Sequence, residues 1–318
     1  MASSSSDSIF PIVVSADKTI SHSGRQMWGT CPRKFQLSKT KTYYKRDRQS
    51  SKAMSFGKAF GTGLQSLLAG DSLETALIKS ALDHDKVFAF DKESVAAGES
   101  LAHVHEAMMA FYHGQLPALR DDWEVLDIEG LYGVELGFLI QYQTGTLERG
   151  FIDLVIRNKH TGEVVVLEVK TSGALSVGTD ADWMNSAQGT MYVIVVQYLL
   201  AKHNIHVNSR VLYIEYNKKH KQYTIFPFEK PAREQLEFLV SCHYDVEARS
   251  MLFGTETKLF KTGKCVSYKR QCEFFGVCDI SVPLEYAEVE MKADEGFHFI
   301  KYQDLFDFVR EKVHAITR

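Results

Sequence analysis

Two carboxylates and a lysine stand out by type and spacing in the run GFIDLVIRNKHTGEVVVLEVKTSG, residues 150–173. Asp153 sits between Ile152 and Leu154. Glu168 and Lys170 flank Val169, with fourteen residues between Asp153 and Glu168. Side chains two apart on a strand share a face, so Glu168 and Lys170 point the same way while Leu167 and Val169 point into the core. A turn at Thr161-Gly162 would pair the two segments and bring Asp153 beside Glu168. Carboxylates at apolar strand ends are costly unless they are paired or bind a cation. Hard oxygen ligands of this kind suit Mg²⁺ or Mn²⁺. A lysine beside them can orient or deprotonate an attacking water and steady charge on a phosphate. Taken alone, the pattern fits a surface ion pair on an ordinary hairpin equally well, because acids and lysines are common.

The context of these residues resembles the PD-(D/E)XK nucleases: Gly150 stands three before Asp153, and Thr171 follows the E-V-K at 168–170. Gln188 and Tyr192 are four apart, on one face of the helix expected from about Asp182 to Lys202. RecB-type members of that family carry a Q-x-x-x-Y helix soon after the E-x-K strand, and here it reads QGTMY. The resemblance implies that Asp153, Glu168 and Lys170 are catalytic, and that Asp153, Glu168 and the Val169 carbonyl hold the metal. It also implies that Gln188 and Tyr192 flank the site and contact or order the DNA cleft. Standing alone, that pair reads as one solvated Gln and one core Tyr.

The five cysteines are an odd number in a large chain, which argues against a disulfide framework. Cys265, Cys272 and Cys278 are separated by six and five residues, and Cys31 stands far upstream in TCPRKF. One cysteine before the core and three after it resembles the RecB-like nucleases with an iron–sulfur staple, including the AddB type and CRISPR-associated relatives. Pro32-Arg33-Lys34 matches the Pro and basic residue that often follow the upstream cysteine. The resemblance implies a 4Fe–4S cluster on Cys31, Cys265, Cys272 and Cys278. A tetrahedral zinc site is the alternative, and four free cysteines the plain reading. Cys242 lies on an apolar helix and reads as core.

One departure matters. Many RecB-type members have a helical G-x-x-x-H whose His binds metal; the equivalent here is GKAFG, with Gly61 in the place of the His. Gln65 follows where a carboxylate is often seen. Neither replaces an imidazole, and the remaining ligands are enough for one metal. Gly61 and Gly63 would instead let a DNA backbone or a second helix approach closely. His103 and His105 are not spaced for joint ligation on one helix face.

In KTKTYYKRDR, residues 39–48, Tyr43 and Tyr44 are interleaved with cations including Lys45 and Arg46. This suits a groove in which phosphates meet cations and bases stack on Tyr. Lys258, Lys261, Lys264, Lys269 and Arg270 surround the cysteine cluster, whereas Lys218-Lys219-His220-Lys221 reads as a solvated turn.

The elements that must position these groups follow from periodicity. A helix capped by Ser21 or Ser23 is expected to run towards Leu37, and Met54–Leu116 repeats apolar residues at three and four. Short strands follow over 123–128, 132–141, 150–157 and 163–170. A hairpin is expected over 209–228, and helices over 232–249 and 302–313. The expectation is an α/β fold, a restriction-endonuclease-like mixed sheet flanked by helices. Residues 1–18 read as a disordered start, 19–122 as a helical N-terminal region, 123–230 as the nuclease core and 231–318 as a helical region with the metal staple.

The 318 residues are 45% hydrophobic and 24% charged, the balance of a folded soluble protein. Net charge is −3, from 37 Lys and Arg against 40 Asp and Glu, which excludes a uniformly cationic surface but not a local cationic groove. The longest apolar run, Met191–Val196, falls far short of the roughly 18 residues of a membrane span. MASSSSDSIF has neither a basic nor an apolar leader region, so no secretory signal is expected. The resemblance implies metal-dependent hydrolysis of single- or double-stranded DNA, as an exonuclease in replication, recombination or repair. It further implies a helicase or recombination partner and a cytoplasmic location, in a host cell if the chain is phage-encoded. A catalytically decayed DNA-binding subunit and a zinc-stapled interaction scaffold are the rival readings.

Overall fold

Several helices begin where a serine supplies an acceptor for the first free N–H groups. Ser21 Oγ accepts from Gly24 N at the start of α1 (His22–Thr30), Ser51 from Met54 N at α3 (Lys52–Leu68), and Ser72 from Thr75 N at α4 (Leu73–Asp83). The single helix expected towards Leu37 is in fact two, α1 and α2 (Pro32–Ser38). Cys31 between them is extended, with φ −160°. A residue before proline is pushed out of the helical region, and Pro32 at the first turn of α2 needs no N–H.

The computed structural model describes residues 12–43, 51–128, 130–173, 183–253, 258–259, 261–262, 265–267, 270–279, 284–291 and 297–317. The chain divides into two units, each drawn from separated stretches. One comprises Asp47–Leu136, Phe151–Gln235 and Glu311–Arg318; the other comprises Met1–Arg46, Gly137–Gly150 and Leu236–Arg310.

The first of these units carries α3 and α4, followed by α5 (Lys86–Ala89), α6 (Lys92–Ala96), α7 (Leu101–Gly114) and α8 (Leu116–Asp122). Its sheet is mixed. β8 (Val164–Ser172) pairs antiparallel with β7 (Leu147–Asn158), Leu167 opposite Leu154. It pairs parallel with β9 (Val207–Asn217), Val169 opposite Ile214, and β10 (Gln222–Glu229) runs antiparallel to β9. β2 (Thr19–Ile20) pairs with the start of β7 and β3 (Trp123–Val125) with its end, and β4 (Asp127–Ile128), β5 (Leu131–Tyr132) and β6 (Val134–Gln141) lie between β3 and β7 in the chain. A parallel pair needs a crossover, which α9 (Ala187–Ala201) supplies. Its V-I-V-V run has strand propensity, but the helix is buried continuously from Gly189 to Gln197, and a helix apolar on all sides is an interior one.

One core joins helices to sheet: Phe56, Phe60 and Leu64 of α3, Met108 and Phe111 of α7, Leu154 and Ile156 of β7, Leu167 and Val169 of β8, and Ile214 of β9. Leu167 and Val169 are inside, as the period of two requires, so Glu168 and Lys170 turn the other way. Gly63 is where α7 meets α3: a Cβ there would collide with Met108 Sδ and Cε.

In the other unit, Ile12–Ser15, expected in the disordered start, forms β1 against Glu288–Met291, with Ile12 opposite Met291. A parallel pair joins His298–Lys301 to residues 138–141, with His298 opposite Phe138. Arg25 is half-buried there, 2.6 Å from Glu148, which also accepts the Tyr142 hydroxyl at 2.6 Å. Among the described residues no helix is long and apolar enough to cross a membrane.

The close approach at Gly63 predicts that Gly63→Val costs about 1–3 kcal/mol through overpacking. Gly61→Ala, whose methyl meets nothing within 4 Å, should gain about 0.5–1 kcal/mol from helix propensity. Urea denaturation midpoints measure both; an unchanged midpoint for Gly63→Val would mean that α7 is not closely packed at that point.

Candidate active site

β7 and β8 separate at Asp153. Their paired register ends at Leu154 and Leu167. One step further, Asp153 Oδ2 accepts the Val169 N–H at 2.9 Å, where a strand partner's carbonyl would otherwise serve. Glu168 is only 2% exposed. Its Oε1 accepts from Lys170 Nζ at 2.6 Å, while its Oε2 is buried without a hydrogen-bond partner among the described residues. Lys170 Nζ also donates to Gln188 Oε1 at 3.0 Å and lies 5.9 Å from the Trp183 ring centroid. Gln188 Nε2 donates to the Tyr192 hydroxyl at 2.8 Å. The Ser186 cap, accepting from Gly189 N, sets Gln188 in the first turn of α9.

The structure therefore brings Asp153, Glu168, Val169, Lys170 and Gln188 to one cavity of about 570 Å³, with Tyr192 bonded behind Gln188. The opposite wall is α3, which contributes Gly57, Lys58, Gly61, Thr62 and Gln65. Gly57 and Gly61 lie four apart and present no side chain, so the cavity stays open. Lys58 and Thr62 bond to Asp83 at 2.7 and 2.5 Å.

Sequence reasoning missed Glu135. It lines the cavity, takes an N–H of Gln65 Nε2 at 2.7 Å, and has φ +48°. The available signal was one acid inside the apolar run V-E-L-G-F-L-I. His103 bonds to Ser100, and neither His103 nor His105 lines the cavity.

The electrostatics are those of a site short of positive charge. Burial, then the Asp153 charge, push Glu168 up to about 8, against the pull of Lys170. Burial raises Asp153, opposed by Lys170 and the Val169 N–H. Partial desolvation raises Glu135, with Gln65 opposing and Asp153 adding. Hard oxygen donors and an unpartnered buried Oε2 fit a divalent cation. Among the described residues no three His, Cys, Asp or Glu side chains converge as a ready-made ligand set. Mg²⁺ tolerates this, because it keeps several waters and takes one or two carboxylates.

The four cysteines singled out by spacing are half-buried, unlike Cys242, which is core. Cys31 caps α2. Burial raises its thiol, but the N–H groups of Lys34, Thr262 and Arg33 outweigh this and lower it. Cys278 is raised by burial and also feels Cys31, and Cys272 N donates to the Cys265 carbonyl at 2.7 Å. Lys258 and Lys261 both pair with Asp279, and Lys34 pairs with Glu273. Tyr43 sets its ring edge on Phe274, centroids 5.3 Å apart. Tyr44, Lys45, Arg46, Lys264 and Lys269 lie outside the described residues.

A family model of the PD-(D/E)XK nuclease superfamily matches residues 19–279, a span that contains every cavity residue named above. The chain belongs to the PD-(D/E)XK nuclease superfamily. Membership implies a hydrolase that cleaves nucleic acid with Mg²⁺ or Mn²⁺. Among solved structures, the chain is similar to a "Putative exonuclease" from Eubacterium rectale, at 14% identity and TM-score 0.45 over 78% of this chain and 86% of that one. It is also similar to the protein SSO0001, at 14% identity and TM-score 0.32 over 75% and 78%. No curated protein matches.

For a PD-(D/E)XK site with Glu168 raised from 4.5 to about 8, the native chain keeps a proton that the unfolded chain has lost between those values. Stability of the cation-free protein should therefore fall as pH rises through this window. Glu168→Gln should flatten that fall. Thermal melts in EDTA across the window check it; equal slopes in the two proteins would remove Glu168 as the cause.

Proposed function

We propose that the chain is a metal-dependent deoxyribonuclease of the RecB/AddB branch, an exonuclease acting in replication, recombination or repair and of the phage type. One observation carries the reading: Asp153 and Glu168 share a cavity with Lys170, and Glu168 presents a buried oxygen with no hydrogen-bond partner among the described residues. Asp153, Glu168 and the Val169 carbonyl would hold Mg²⁺ or Mn²⁺. The bound cation supplies Lewis acidity, lowering the pKa of water and offsetting charge on the phosphodiester. Lys170, fixed between Glu168 Oε1 and Gln188 Oε1, steers a water towards phosphorus and steadies the charge that builds as the P–O bond breaks. Gln188 and Tyr192 act by holding that ammonium in place. The cavity's glycine wall admits a sugar–phosphate backbone, single- or double-stranded, and the residue types of Tyr43, Tyr44, Lys45 and Arg46 suit DNA binding. The protein works in the cytoplasm, beside a helicase or recombination partner.

Cys31, Cys265, Cys272 and Cys278 are assigned to a 4Fe–4S cluster, with zinc as the alternative. The lowered Cys31 thiol at the start of α2 supports a thiolate there, and Cys278, itself raised by burial, lies near enough to feel its charge. These four do not stand as a closed ligand set, so loading has to draw them together.

End-labelled DNA with Mg²⁺, Mn²⁺ or EDTA tests the activity. Asp153→Ala, Glu168→Ala and Lys170→Ala should each lower cleavage by roughly two to three orders of magnitude while DNA binding persists; near-normal cleavage by Asp153→Ala would sink the assignment.

For the cysteines, serine at any of the four should lower bound metal and soluble yield, whereas Cys242→Ser should leave bound metal unchanged. Elemental analysis that finds neither iron nor zinc in the native protein rejects the cluster.

A further inference from the structure

The cavity holds a carboxylate that its D-x14-E-x-K pattern does not contain. Glu135 lies in the strand Val134–Gln141 and faces Asp153 and Glu168 across the cavity. We propose that Glu135, held by Gln65, is the third carboxylate of the cation site, binding the ion through a water that the ion retains and standing in for the helix-borne ligand missing at Gly61. The inference rests on the reading of the chain as a metal-dependent nuclease.

Four observations carry it. The first is charge. With all three carboxylates ionised, Glu135, Asp153 and Glu168 bring three negative charges against the one positive charge of Lys170, while Lys58 is paired with Asp83. The deficit of two matches one divalent ion. The second is the unpartnered Oε2 of Glu168, buried at 2% exposure on the wall of this cavity. A buried carboxylate oxygen with no donor is costly unless something cationic meets it.

The third is placement. Gln65 comes from α3, one turn beyond Gly61, and its amide fixes Glu135 Oε1 at 2.7 Å. A helix that offers no ligand of its own thus aims a carboxylate from the neighbouring strand into the same space. Glu135 does so at φ +48°, in the left-handed region that glycine favours and Glu does not. The fourth is room. Gly61 has nothing within 4 Å of its Cβ direction, and the carboxylates do not close on one point. Side chains spaced in this way suit a hydrated ion, which Glu135 would reach through a water and not by direct ligation. Mg²⁺ and Mn²⁺ accept oxygen ligands in this way.

The test is Mn²⁺ binding to the full chain, read by electron paramagnetic resonance of free Mn²⁺, with melting temperatures in EDTA alongside. Glu135→Gln keeps the bond to Gln65 and removes the charge. Glu135→Gly also removes the charge and suits the positive φ. Both should bind Mn²⁺ about tenfold or more weakly, the scale of losing a group that holds a metal's own ligand. Both should melt in EDTA at or above the wild type, because both relieve charge repulsion and Glu135→Gly also relieves the strain of the positive φ. Affinities within about threefold of wild type in either folded variant overturn the proposal. So does failure of both to fold, which would make Glu135 structural. Asp153→Asn separates the two levels of the argument. If it abolishes Mn²⁺ binding while the Glu135 variants do not, only this inference falls; if it too binds normally, the cation-site reading falls with it.

Discussion

A carboxylate that is almost wholly buried dictates much of this protein's organisation. Taking an ion the size of the Glu168 carboxylate out of water costs several kcal/mol, and the chain offsets part of that cost locally. Lys170 lies two residues along the same strand, so the pleat itself delivers its ammonium to within 2.6 Å. That ammonium would wander on its flexible stem if nothing held it. Gln188 and, behind it, Tyr192 do so from the first two turns of α9. α9 has to start where it does, and the Ser186 cap fixes that start. Burial this deep also requires β8 to lie inside the sheet, flanked by β7 and β9. Strand order, crossover helix and cap thus converge on one buried carboxyl as well as on the apolar core.

Much of this was legible beforehand because it depends on short-range rules. Strand parity alone places Glu168 and Lys170 together and sends Leu167 and Val169 into the core. Helical spacing alone puts Gln188 and Tyr192 on one face. The mixed sheet with flanking helices follows from short β-rich segments after a long helical pattern. Glu135 was not legible, because its position depends on an irregularity: a positive φ inside a strand that periodicity treats as regular. The break at Cys31 was signalled by Pro32 yet outweighed by the apolar spacing on either side of it. The β1 pairing of Ile12–Ser15 was hidden because its partner lies more than 270 residues away, at Glu288–Met291. No local pattern reports a contact of that range.

Two of the three glycines of α3 show how one residue type serves opposite ends. Gly63 removes a side chain so that α7 can pack, and anything larger meets Met108. Gly61, two residues earlier, removes a side chain and nothing fills the place. A helix usually closes the space beside it; here it is kept open on one face and sealed on another within a single turn. The resemblance to RecB-type nucleases had read the bare position as a loss. In the structure it is also a gain of volume at the wall of the cavity.

The fork between β7 and β8 has a further use. The Val169 amide is tied to the Asp153 carboxylate and not to a backbone carbonyl, so its proton senses the charge of that carboxylate directly. In isotope-labelled protein this one amide resonance is an intrinsic reporter. Its chemical shift follows protonation of Asp153, and its solvent exchange slows or quickens as the carboxylate is engaged elsewhere. A single backbone signal, needing no attached probe beyond the isotope, thus follows the state of the Asp153 carboxylate.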